Sequence, residues 1–252
     1  MLALVGMGLA PKDISVSALE FLKSSDIILL ESYTSLFPKE SSDFISSYTG
    51  RHPERTKRSD FEDDLVHTVA RARESTMAIL VVGDPLIATT HHIILDEAAK
   101  QGVATRVFHS SSIFSAAIGE SGLDIYKFGP TTTIPFWSAN YRPTSFVDVI
   151  RRNLSNSQHT LVLLDIDQAR ARPMDISTAM GVFHKAGGES AVPDDSEVLV
   201  LANVGRDDQR IIYSRLGSLE RLGESLDGKA LSIIVPAKPS FAELESLKRF
   251  ST

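Results

Sequence analysis

Short apolar runs recur along the chain at 2–5, 27–30, 77–82, 103–108, 161–164, 198–201 and 231–235. Each has the length of a strand, and most lack the apolar–polar alternation of a sheet with one wet face. Continuous runs of that kind predict strands buried on both faces, as in parallel or mixed α/β sheets. Between them the spacing becomes helical. Ile14, Ala18, Phe21 and Leu22 fall on one helical face, with Asp13 as the expected N-cap. Phe61, Leu65, Val69 and Ala72 form a second stripe, with Asp60 as cap and acidic residues in the first turn. Ile93, Ile94, Ala98 and Ala99 mark a third.

Alternation of strand and helix over residues 1–110 predicts an α/β domain on a largely parallel sheet. The second half reads differently. Residues 129–143 (GPTTTIPFWSANYRP) hold three prolines, three consecutive threonines and the only tryptophan, so an irregular or edge-strand segment is expected. Thr144 then opens a helix over 145–153 that leads into the strand around Leu163. Strands at 197–204 and 210–214 are joined by Gly205-Arg206-Asp207-Asp208, which reads as a hairpin turn and implies a mixed sheet. The expected organisation is two α/β domains, residues 1–108 and 109–252, with mainly parallel and mixed sheets.

Composition narrows the chemistry. With 42% apolar and 23% charged residues over 252 positions, the chain can build a sizeable core. It contains no cysteine, which removes disulfides, thiolate catalysis and cysteine-held metals. A net charge of −6 argues against nucleic acid as a partner. The basic stretch 51–58 (RHPERTKR) is interrupted by Glu54 and followed by Asp60, Glu62, Asp63 and Asp64, so it reads as a solvated loop and helix start. The apolar opening lacks a basic lead and meets Pro11, Lys12 and Asp13, and no run approaches a membrane span. A soluble, cytoplasmic protein is expected.

Three loops hold candidate chemistry. Gly6-Met7-Gly8-Leu9 follows the first strand, where glycine lets backbone approach a ligand closely. A dinucleotide fingerprint needs a third glycine where this chain has Pro11, although Glu31 ends the second strand where a ribose-binding acid would sit. A plain strand-to-helix turn is the competing reading. Gly83-Asp84-Pro85-Leu86 follows the very apolar run 77–82, and an acid at the carboxyl end of a buried parallel strand lies where such sheets bind ligands. Asp84 is therefore expected to face a ligand rather than the core. Thr89 or Thr90 is an expected helix cap. The third loop, Ser110-Ser111-Ser112-Ile113, combines small residues with capping hydroxyls. The histidines form no metal signature: His91 and His92 are adjacent, and His109, His159 and His184 stand alone.

In order and spacing these loops resemble the diphthine synthases, within the tetrapyrrole-methylase-like methyltransferases. The resemblance runs through LALVGMGL (2–9), ESYTS (31–35), GDPLIATTHH (83–92), SSIFSA (111–116) and GLDIYKFG (122–129). It continues through NYRPTSFVDVI (140–150), HTLVLLDI (159–166) and IIVPAK (233–238). GDPL alone implies only the broader class; ESYTS, IYKFG and PTSFVDVI point to the narrower one. The match is poor over 168–193, Ile87 stands where valine is common, and Arg142 where an aromatic is common. The compact length is similar to the archaeal branch.

The resemblance implies a homodimer with S-adenosyl-L-methionine in the cleft between two domains, S-adenosyl-L-homocysteine as the spent form, and no metal. It implies cofactor contacts at Leu9, Asp84, Ile87, Ser112, Ile113, Leu164, Val204 and Leu231. It further implies, as substrate, elongation factor 2 carrying a 3-amino-3-carboxypropyl group on a histidine, whose amine is methylated to give diphthine. No general base is evident; Asp165, at a strand end beside Leu164, is a candidate, with a structural strand-end cap the favoured reading. Lys127, Trp137, Tyr141 and Arg142 are candidates for meeting the protein substrate, against a core or dimer-interface role. The rival functions are methylation of a porphyrinoid small molecule and a nucleotide-binding module without catalysis.

Overall fold

The computed structural model describes residues 1–32, 35, 39–167, 170 and 172–251. Tyr33 and Thr34 of the ESYTS motif, and residues 168, 169 and 171, lie outside them. Two compact units are present, Met1–Ile113 and Phe114–Thr252.

The first unit contains β1 (Leu2–Gly6), α1 (Val16–Ser24), β2 (Ile27–Leu30), α2 (Lys39–Thr49) and β3 (Glu54–Arg55). It continues with α3 (Ser59–Glu62), α4 (Leu65–Ala70), β4 (Met77–Val81), α5 (His92–Lys100) and β5 (Thr105–Phe108). The strands form one sheet in the order β3-β2-β4-β1-β5, with every pairing parallel. Alternate residues of each strand feed two cores. Ala3, Val5, Ile28, Leu30, Ala78 and Leu80 pack with Ala18, Leu22 and Ile45 from α1 and α2. Leu2, Leu4, Leu29, Met77 and Ile79 pack with Phe61, Val69, Ile94 and Ala98 from α3, α4 and α5. Helices on both faces are why these strands are apolar without alternation.

Some local expectations fail. Ser15 rather than Asp13 caps α1, its hydroxyl accepting the Ala18 N–H at 3.3 Å. Asp13 instead turns back to the Leu9 and Ala10 N–H groups, each 3.0 Å from Oδ2. The second stripe is not one helix: α3 ends at Glu62, α4 starts at Leu65, and a short 3-10 turn, Arg71–Arg73, follows. The Asp60 side chain accepts from Lys57 N ahead of α3, while position 58 occupies the cap without a side-chain bond. The basic stretch contributes a two-residue edge strand, β3. Neither threonine caps α5; its cap position is His91, without a side-chain bond. The expected boundary after Phe108 differs from the observed division after Ile113, because residues 110 and 111 are hydrogen-bonded back to Asp84 and Asp13.

Helix α6 (Ile113–Ser121) leads into the second unit. Then come β6 (Thr132–Ile134), α7 (Ser145–Ser155), β7 (Thr160–Leu164), β8 (Ile166–Asp167), β9 (Arg172–Pro173) and α8 (Ile176–Lys185). The remainder is β10 (Glu197–Ala202), β11 (Arg210–Arg215), α9 (Gly223–Leu226), β12 (Leu231–Val235) and α10 (Phe241–Leu247). The main sheet runs β11-β10-β12-β7-β6, antiparallel except for β6 against β7. The predicted hairpin is β10–β11, and the proline-rich segment supplies β6 at the sheet edge. One face packs Val162, Val198, Val200 and Ile233 against Phe146 and Ile150 of α7 and Met180 and Phe183 of α8.

A charged hub ties the end of this unit to its middle. Glu243, in α10, is 4% exposed. Its Oε1 accepts from His159 Nε2 and Asp124 N, both at 3.0 Å; its Oε2 accepts from Lys127 Nζ and Ser240 N, both at 2.6 Å. All its partners are donors. His159 is fully buried, and its Nδ1 accepts the Ala237 N–H at 3.0 Å, which assigns the proton to Nε2 and makes the ring neutral. Burial alone would raise the Glu243 carboxyl, but the hydrogen bonds from Lys127, Ser240, Asp124 and His159 outweigh it and hold it far below the ordinary glutamate range. Burial pushes His159 down, and its bond to Glu243 only partly opposes this.

Both shifts make folding acid-sensitive in the same direction. The unfolded chain protonates His159 as pH falls through 6.5 and Glu243 as it falls through 4.5, while the folded state resists each step. The urea midpoint should therefore decline as pH is lowered, beginning near the ordinary histidine value. Glu243→Gln sets an amide NH₂ against donors and leaves Lys127 without its carboxylate. It should cost on the order of 2–4 kcal/mol at neutral pH, below the full cost of a severed buried pair because Lys127 is partly solvated. It should also flatten the acid decline. Urea titrations across pH check both.

Candidate functional site

The carboxyl edge of the parallel sheet gathers the three loops. Beyond β1 the backbone bridges Gly8 to Gly83, with Gly83 N donating to Gly8 O at 2.9 Å and Gly8 N to Gly83 O at 3.2 Å. A Cβ on Gly6 would stand 2.8 Å from Gly83 O, 2.9 Å from Ser110 Cβ and 3.0 Å from Pro85 Cδ. Only glycine lets the loops after β1, β4 and β5 meet this closely. Gly8 and Gly83 also hold positive φ, 71° and 73°.

Two carboxylates fasten the loops. Asp13 Oδ2 accepts the Leu9 and Ala10 N–H groups and the Ser111 hydroxyl, the last at 2.9 Å. Asp84 is 7% exposed. Its Oδ1 accepts Leu86 N at 3.0 Å; its Oδ2 accepts Ser110 N at 3.2 Å and faces His109 Nδ1 at 2.8 Å. The oxygens of Asp84, expected to face a ligand, are engaged by its own loop and the neighbouring one. The surface that the loop itself offers lies further on, where Ile87 is 44% exposed and Ala88 takes φ 56°. Thr89 Oγ1 is buried without a hydrogen bond.

The other resemblance positions divide by unit. Leu9 is half-buried, Ser112 is buried, and Ile113 is the half-buried first residue of α6. With Asp84 and Ile87 they belong to the loops at the sheet's carboxyl edge. In the second unit, Leu164 ends β7, Val204 follows β10 and Leu231 starts β12. Because β12 runs antiparallel to both neighbours, with Leu231 opposite Ala202 and Ser232 opposite Leu163, these three share one edge of the mixed sheet. Val204 is buried between Asn203 at φ 48° and Gly205 at φ 84°, a tight turn.

Several candidates have structural duties. Asp165 accepts Ile166 N at 2.8 Å and Phe136 N at 3.2 Å, a strand-end role. Lys127 belongs to the Glu243 hub, and Trp137 packs half-buried on the second unit's core, whereas Tyr141 and Arg142 are exposed. His184 faces Glu189 at 2.6 Å. The Asp84–His109 pair escaped the sequence reading, since nothing local joins residues that far apart. The available signal was that His109, like Asp84, follows an apolar parallel strand.

Against this geometry, the sequence pattern of the tetrapyrrole (corrin/porphyrin) methylases matches residues 1–220. The fold and that match define a methyltransferase of the tetrapyrrole methylase class. Diphthine synthase of Methanothermobacter thermautotrophicus is 36% identical, over 98% of this chain and 94% of that protein. Human diphthine methyl ester synthase is 34% identical, over 100% of this chain and 95% of its own. A crystal structure of a diphthine synthase superposes with a TM-score of 0.88 at 32% identity, covering 99% of this chain and 95% of the other. The chain belongs to the diphthine synthase family. No described helix is long and apolar enough to cross a membrane.

Removing either fastening should loosen the edge. Gly6→Ala should destabilise by roughly 1–3 kcal/mol through overpacking against backbone. Asp84→Ala should cost about 1–3 kcal/mol by leaving buried N–H groups unanswered. Hydrogen exchange should then quicken at residues 83–90 and 109–112, ahead of the sheet. Unchanged exchange in a folded Asp84→Ala protein would contradict its fastening role.

Proposed function

We propose that this chain uses S-adenosyl-L-methionine to methylate the amino group of the 3-amino-3-carboxypropyl-histidine side chain on elongation factor 2, giving diphthine. The observation that carries the reading is the end-to-end likeness to proteins named diphthine synthase. The porphyrinoid alternative draws only on the name of the wider family, and the non-catalytic alternative on the glycine turn alone. The enzyme acts in the cytoplasm as a homodimer, a reading supported by the resemblance of its motifs.

The loops suit the proposed cofactor. Loops drawn together by glycine, an exposed apolar Ile87 and the buried, unbonded Thr89 hydroxyl offer a compact frame, an apolar platform and an unused polar group. Leu9, Asp84, Ile87, Ser112 and Ile113 would hold it from the first unit, and Leu164, Val204 and Leu231 from the second. A dinucleotide suits them less. Gly8 leads into the turn closed by Asp13, and α1 starts only at Val16, so no helix N-terminus follows the glycines to receive a pyrophosphate. When bound, the cofactor supplies a methyl group already activated on sulfur, so the chain's task is to align and deprotonate the acceptor.

A second reading concerns the acceptor atom. The human relative's name specifies a methyl ester, which makes the carboxylate of the same side chain a second acceptor.

Calorimetry should show saturable binding of S-adenosyl-L-homocysteine and no heat from NAD; the reverse would sink the cofactor claim. Labelled S-adenosyl-L-methionine incubated with unmethylated elongation factor 2 should label the factor. Base-stable label marks amine methylation and base-labile label an ester. Arg142→Glu, at an exposed position, should lower labelling at limiting factor several-fold without changing cofactor affinity. Wild-type labelling by that variant removes Arg142 from the contact surface.

A further inference from the structure

Within the first unit, Asp84 forms a carboxylate–imidazole dyad with His109, a residue that is not among the cofactor contacts proposed above. Asp84 is nearly buried, and its carboxylate accepts backbone N–H groups from Leu86 and Ser110. An ionised carboxylate can only accept, so the 2.8 Å contact to His109 Nδ1 places the ring proton on Nδ1. The lone pair is then on Nε2. The His109 side chain is 67% exposed while that of Asp84 is 6% exposed, so one end of the ring is fixed and the other is open. His109 directly follows β5 and Asp84 lies three residues beyond β4, both past the carboxyl ends of parallel strands, where such sheets bind ligands. Asp84 is the ionisable group in contact with the ring; the Arg106 guanidinium, three residues earlier, lies over the Phe108 ring.

The geometry points to His109 as the general base that deprotonates the acceptor amine, with Asp84 as the positioning residue that fixes its tautomer. The inference rests on the amine-methylation reading above. An α-amino group is mainly ammonium at neutral pH and has no lone pair to attack with. His109 Nε2 takes one proton from the ammonium, and the resulting imidazolium is held by the Asp84 carboxylate. The freed nitrogen pair forms the new N–C bond as the C–S bond breaks, its electron pair returning to sulfur to give a neutral thioether. The methylated amine now carries the positive charge, and His109 returns its proton to solvent before the next transfer. The competing view is that His109 merely neutralises Asp84.

Single-turnover methylation with saturating S-adenosyl-L-methionine separates the two. His109→Gln keeps an amide donor for Asp84 but has no base, so a merely structural role would survive it. The expected result is a kcat lower by roughly 100-fold to 10 000-fold, with KM and S-adenosyl-L-homocysteine affinity near wild type. The rising limb of the wild-type kcat–pH profile should move to higher pH, and free imidazole should partly rescue His109→Ala. Independently of turnover, imidazole ¹⁵N spectra of the wild-type protein should show Nδ1 protonated and Nε2 bare. Wild-type kcat and pH profile in His109→Gln, or a proton resident on Nε2, would overturn the proposal. If the wild-type protein itself fails to label the factor, the functional reading falls first and takes the base with it.

Discussion

Three loops from three different strands must end at one place, and the close approach of Gly6, Gly83 and Ser110 is what permits it. A parallel sheet brings its strand ends to a common edge but does not oblige the following loops to stay there. Here the missing Cβ at Gly6 allows backbone contact, the Gly8–Gly83 bridge makes that contact specific, and Asp84 and Asp13 bind the loops across strand boundaries. Each anchoring carboxylate accepts from backbone N–H groups of the loops, so the loops are ordered by the same bonds that satisfy those donors.

The second unit solves a similar problem with Glu243. Three motifs of the resemblance, IYKFG, HTLVLLDI and IIVPAK, meet at this carboxylate through Lys127, His159 and Ala237. In each motif that residue serves the fold of the unit. A carboxylate whose every partner is a donor tolerates no neutral isostere, and a histidine pinned as acceptor on Nδ1 tolerates no second proton. The edge formed by Leu164, Val204 and Leu231 lies on strands held in register within the same unit.

Architecture was legible in the sequence because it depends on periodicity. Strands apolar without alternation required cover on both faces, and they have it; the β10–β11 hairpin and the edge strand β6 followed from turn chemistry and proline. What stayed hidden depends on partners distant in the chain. Asp13 looked like a cap because caps are local, yet its oxygen serves Leu9, Ala10 and Ser111. Asp84 looked ligand-facing because such acids often are, yet its oxygens hold Leu86 and Ser110 and face His109. A paired histidine and a solitary one are indistinguishable when the pairing spans two strands.

That pairing bears on how one fold serves different acceptors. A class that draws on a ready-activated methyl group needs the same cradle whatever it methylates, so the cradle carries little information about the acceptor. Removal of the acceptor's proton is a separate requirement. A carboxylate at neutral pH already has a lone pair and needs no base, whereas an ammonium has none until it is deprotonated. An imidazole held by a buried carboxylate beside the cradle is useful for amines and idle for carboxylates. A relative that adds an ester methyl after the amine methyls would keep such a dyad for its early steps and bypass it for the last. The proposed base therefore belongs to the acceptor's chemistry rather than to the donor's, and it follows β5, the strand paired with the one that ends at Gly6.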